Sequence, residues 1–191
     1  MIRLNGPWKE GYAFDIHTIS SEFTGNNEYG HPTFDTKRSV MGQYLYKLKY
    51  GQHLPVISKI VALIQKDANF IRFISKIDII LPVPPSNKFR RIQPVLLVSQ
   101  SLSQEFDKTL RSDVLSSTNK EELKNVETSE KYDKIRESVT LIGDINRSSK
   151  LLIFDDVFDS GSTINAITNV LMSNGYKNIY VFTLTKTRMA D

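Results

Sequence analysis

Apolar positions change period along this chain, and each change marks an element. Leu151 to Phe154 are four consecutive apolar residues, the pattern of a strand buried on both faces of a parallel sheet. Ile164, Ile167, Val170 and Leu171 then recur at helical spacing, so this stretch reads strand, polar loop, helix. Asp78 to Val83 repeats the plan, with a polar loop and then a helix from about Gln93 to Phe106 on which Val95, Leu96, Leu102 and Phe106 are apolar. Asn178 to Leu184 reads as another buried strand; Arg111 to Leu115 and Val139 to Ile142 read as short ones. Residues 37–50 predict an amphipathic helix. Val40, Met41, Tyr44, Leu45 and Leu48 form its stripe, Lys37, Arg38, Gln43, Lys47 and Lys49 lie largely off it, and Gly51 is placed to cap its end. A second helix spans about Pro55 to Asp67, with Ile57, Ile60, Val61 and Ile64 on its buried face.

Buried strands alternating with helices predict one doubly wound α/β domain with a mainly parallel sheet over 37–191. Ahead of it, residues 1–36 predict a small N-terminal hood. Trp8, Tyr12, Phe14 and Ile16 suggest a hairpin with an aromatic face, with turn signals at Gly25-Asn26-Asn27 and Gly30-His31-Pro32. His17 and His31 read as structural or surface residues. Residues 107–137 change character: beyond the short strand they are polar, charged and poor in period, and a loop of that length in a compact domain is usually functional or disordered.

Composition narrows the function classes. The chain has 191 residues, enough for one ordinary core, and no apolar run near the ~20 residues of a membrane span. It has no cysteine, which excludes disulfides and thiolate zinc sites. The N-terminus lacks the apolar core of a signal peptide, so a cytoplasmic location is the expectation. A net charge of +4 suits small polyanions. Basic residues are scattered among acids, so nucleic acid ranks last among the partners, and no membrane is implied. A homodimer is allowed by these residues. Neither GxGxxG nor GxxxxGK[ST] occurs, which argues against dinucleotide and Walker-type ATP sites.

The chemistry concentrates in KLLIFDDVFDSGST, Lys150 to Thr163. Asp155 and Asp156 close the apolar run, at the carboxyl end of a strand, where open α/β sheets bind ligands. Carboxylates there can accept hydrogen bonds from sugar hydroxyls and help hold Mg²⁺, directly or through water. Asp159, Ser160, Gly161, Ser162 and Thr163 form a small polar loop at a helix N-terminus, where free N–H groups and the helix dipole favour an anion. The two halves together suit a sugar phosphate.

This string closely resembles the phosphoribosyl-pyrophosphate (PRPP) signature of type I phosphoribosyltransferases. The resemblance implies that fold, with Asp155 and Asp156 on the ribose hydroxyls and Mg²⁺, and Asp159 to Thr163 on the 5′-phosphate. It also implies transfer of a phosphoribosyl group to a nitrogenous base or related amine, with release of pyrophosphate. Asp159 corresponds to an acid that lies near the purine in hypoxanthine-type enzymes, where it would be a general base; a helix N-cap is the other reading. DIILPVPPSNKFRRIQPVLLVSQSLS and the preceding YLYKLKYGQH are similar to the ComF-like, competence-associated members. That places Pro84, Pro85, Ser86 and Lys88 on the pyrophosphate, with Arg90 and Arg91 following, and implies a cis bond around Pro84 or Pro85. The long polar segment would be the loop that closes over the site, with Lys120, Lys124, Lys131, Lys134 and Arg136 as candidates to reach the pyrophosphate. The alternative is a non-catalytic PRPP- or nucleotide-binding protein, ComF-like and associated with DNA uptake or processing.

Overall fold

In the computed structural model, residues 1–85, 87, 90–117 and 139–188 are described. Strand β9 (Leu151–Phe158) is central to the sheet, because its residues pack on both sides. Leu151 and Ile153 enter one core cluster, while Leu152 and Phe154 enter the other, as the two-residue repeat of a strand requires. β9 is flanked in parallel by β10 (Ile179–Lys186) and β5 (Ile79–Pro82). Outside these, β2 (Glu10–Ile16) pairs in parallel with β10 and β6 (Thr109–Leu110) with β5; β1 (Ile2–Arg3) closes one edge antiparallel to β2. The six-stranded order is β1-β2-β10-β9-β5-β6, a mixed, mostly parallel α/β sheet.

One face is covered by α1 (Val40–Lys49), α2 (Val56–Gln65), α3 (Ala68–Ile74) and α4 (Pro94–Glu105), whose buried residues pack with Phe154 and Phe182. The other carries α5 (Ser162–Ser173), with Ile164, Ile167 and Leu171 against Leu151, Ile153 and Val181. The short antiparallel pair β7 (Leu115–Ser117) and β8 (Val139–Leu141) packs on this side through Leu115 and Val139. α4 follows β5 and α5 follows β9, so the chain winds outward in opposite directions from these two neighbouring strands. That is the topological switch point, and the crevice at its carboxyl edge is where such sheets hold ligands.

Several expectations change. Residues 8–16 are not a hairpin in a separate hood. β2 is a strand of the main sheet, because Tyr12 and Phe14 pack into the α1–α4 core and Ala13 into the opposite one. The hairpin comes next, as β3 (Thr18–Asn26) and β4 (Pro32–Arg38), turning at residues 27–31. α3 had no sequence counterpart; Asp67 starts it by accepting from Asn69 N and Phe70 N. α1 begins where Ser39 accepts from Gly42 N at 3.0 Å, which leaves Val40 on solvent rather than on the stripe. Its end is not a glycine cap: the left-handed residue there is Gln52, at φ 48°. The bonds Val83–Pro84 and Pro84–Pro85 are both trans, the form a proline bond still prefers by about 0.5–1 kcal/mol. Among the described residues no helix is long and apolar enough to cross a membrane.

Candidate functional site at the carboxyl edge of the sheet

β9 outruns its neighbour. β5 ends at Pro82, opposite Phe154, and Val83 N donates to Phe154 O at 2.9 Å to close that ladder. β9 continues through Asp155 to Phe158, paired on its other side with Thr183, Thr185 and Lys186. Asp155 and Asp156 therefore lie within the strand, not after it, beside the crevice at the switch point. Consecutive strand residues point to opposite faces. Asp156 faces α1, where its Oδ2 sits 2.8 Å from Lys49 Nζ, both side chains largely enclosed. Asp155 faces the α5 side and accepts from the Asp156 amide at 2.8 Å. The two carboxylates therefore leave β9 on opposite faces.

The loop that follows is shaped by Gly161, which sits at φ 74° as the N-cap of α5. Gly161 has no side chain to cap this helix, unlike Ser39 in α1 and Asp67 in α3; of the first-turn amides, Ser162 N donates to Ser160 Oγ at 3.4 Å. Ser160 and Ser162 share a hydroxyl–hydroxyl bond of 2.8 Å beside these amides, and both reach solvent. Thr163 is half-buried in the first turn. Asp159 is exposed and is not the cap; its Oδ1 accepts from Thr187 Oγ1 at 2.8 Å, just past β10. Thr187 N also donates to Phe158 O at 2.9 Å, so the loop is fastened to the end of β10 at two points.

Of the second predicted loop, Pro84 is half-buried and Pro85 exposed, at the start of the neighbouring crossover. Ser117 Oγ donates to Pro85 O at 3.3 Å and ties this loop to β7. Ser86 and Lys88 lie outside the described residues, as do Lys120, Lys124, Lys131, Lys134 and Arg136. Searches against models of protein families and against curated proteins return no match. The local arrangement of β9, its loop and α5 therefore carries the functional argument.

Sequence reasoning missed the basic side of the site. Lys49 read as an off-stripe surface residue of α1, and His17 as structural. In the structure His17 follows β2, with Nδ1 3.1 Å from Thr185 Oγ1. Thr185 Oγ1 in turn donates to the backbone carbonyl of Asp156 at 3.3 Å. Burial first, then the charges of Lys49 and Arg38, pull the His17 pKa below its ordinary 6.5, with Asp156 opposing them. The folded state thus takes up a proton less readily than the unfolded chain, so stability rises with pH through the window below 6.5 and levels off above it. Denaturation midpoints measured across this range should show that rise in the wild type and a smaller one in His17→Asn. Equal slopes would contradict it.

Proposed function

We propose that this chain is a phosphoribosyltransferase of the type I fold that uses PRPP with Mg²⁺. The observation that carries the reading is the Gly161-turned, hydroxyl-rich loop at the N-terminus of α5, joined to two strand carboxylates beside the switch-point crevice. In this reading Ser160, Gly161, Ser162 and Thr163 hold the 5′-phosphate through amides and hydroxyls. Asp155 and Asp156 accept from the ribose hydroxyls. The pyrophosphate extends toward Pro84 and Pro85; Mg²⁺ bound with it would be held from the protein side by Asp155 or Asp156, directly or through water, and would supply charge neutralisation to the leaving group.

The C1′–O bond to pyrophosphate breaks as the lone pair of an acceptor nitrogen forms the new C1′–N bond. The chain's contribution is to fix the ribose and its phosphate while positive charge develops at C1′, where the carboxylates stabilise it. Asp159 takes the proton that the acceptor nitrogen gives up; its hydrogen bond from Thr187 orients the carboxylate for that task. A cytoplasmic setting is consistent with this chemistry.

Pyrophosphate release from PRPP, measured over a panel of nitrogen heterocycles, tests turnover. Release with at least one of them, reduced by about 100-fold or more in Asp159→Asn, fits a general base. PRPP binding with no release from any acceptor would favour a non-catalytic PRPP-binding protein.

A further inference from the structure

The α1 side of the same edge holds a cationic cluster that phosphoribosyl binding leaves unused. Arg38, the last residue of β4, lays its guanidinium over the ring of Tyr46 at 4.1 Å. Among the described residues, its Nε is the buried side-chain polar atom with no hydrogen-bond partner. Nε is enclosed, so a bound group would meet the fork of the guanidinium rather than this atom. Lys49 stands on the same side, against Asp156. Around His17 are therefore Lys49 from α1, Arg38 from β4, Asp156 from β9 and the Thr185 hydroxyl from β10. Arg38 and Lys49 against Asp156 leave one positive charge unbalanced.

His17 adds no third cation. The Thr185 hydroxyl spends its proton on the Asp156 carbonyl, so it accepts from His17 Nδ1–H. Nε2 of the neutral ring is then a hydrogen-bond acceptor. The cluster thus offers cationic donors next to a neutral acceptor. One surplus charge suits a monoanion, whereas a phosphate dianion would exceed it and lie beside Asp156.

We propose that Arg38, Lys49 and His17 form a subsite for the carboxylate of a small planar heteroaromatic acceptor. Arg38 and Lys49 take the carboxylate and His17 Nε2 accepts from a ring N–H. Stacking on Tyr46 holds the guanidinium plane in place for this contact. That the occupant is a phosphoribosyl acceptor rests on the reading above; the subsite itself rests on the cluster.

The test is titration of the full chain with imidazole-4-carboxylate and with its neutral isostere imidazole-4-carboxamide, followed by the His17 ring signals in NMR. The carboxylate should bind about tenfold or more tightly than the amide, because charge-assisted hydrogen bonds distinguish them. Arg38→Gln should erase that preference and Arg38→Lys should keep part of it. Equal affinity for the two probes, no perturbation of His17 by either, or an unchanged preference in Arg38→Gln would overturn the subsite. The isostere comparison needs no variant, so a misfolded substitution does not protect the proposal. PRPP titrated into the same samples separates the two ideas. Carboxylate preference without PRPP binding removes the transfer reading and leaves the subsite, and PRPP binding without the preference does the reverse.

Discussion

Trp8→Ala should lower stability by about 3–5 kcal/mol, the range for losing a large aromatic from a core. Trp8 is 8% exposed, and its Nε1 donates to Leu4 O at 3.2 Å. Its indole lies on Gly6 and Gly11, so closely that a Cβ at Gly11 would stand 2.3 Å from Nε1. It also meets Phe158 edge-on at a centroid distance of 6.3 Å, and Phe158 is the residue before the polar loop. Removing the indole opens a cavity that two glycines cannot refill, between the first strands and the end of β9. Against a typical total of about 5–15 kcal/mol, this is a large share of the stability. Urea denaturation should show a lower midpoint with an unchanged slope. A loss under about 1 kcal/mol would mean that the Trp8 indole is not part of the core.

The second large effect is expected at Gly161. Alanine there must adopt φ 74°, and its Cβ would lie 2.6 Å from Phe158 Cζ. Holding an L-residue in the left-handed region costs about 1–2 kcal/mol before any contact is counted. The Phe158 ring has little freedom to swing away, because Trp8 stands at its edge. Gly161→Ala should therefore destabilise the fold by about 1–3 kcal/mol and, in the proposed function, weaken 5′-phosphate binding far more than stability. The Trp8→Ala background frees the ring, so the two substitutions should be less than additive, which a double-mutant cycle measures. Full additivity would show that Phe158 does not transmit strain between them.

The contrast between Trp8 and Gly161 also shows where sequence information was strong. The strands at 78–83, 151–154 and 178–184 were legible because a strand buried on both faces is apolar throughout. The loop between β9 and α5 was legible because its small polar residues sit between two periodic patterns. β2 was not: it alternates between a face holding Tyr12 and Phe14 and one holding Gly11 and Ala13, and nothing local says that its partner is β10, with paired residues 170 positions apart. The extra length of β9 through Asp155 and Asp156 was hidden for a related reason, since carboxylates enter a strand only where β10 supplies the pairing. His17, Arg38 and Lys49 come from three separate stretches and gain meaning only when α1 packs against the sheet. The proline-rich loop misled in one respect. Three prolines in four residues do stiffen the exit from β5, but a trans path satisfies the chain there.

The central claim, a PRPP site at the end of β9, is tested most directly by calorimetric titration of PRPP with Mg²⁺ into the wild type and into Asp155→Asn/Asp156→Asn. Micromolar binding by the wild type that the folded double variant loses is the predicted result. No heat in the wild type, or equal binding by the double variant, would contradict it.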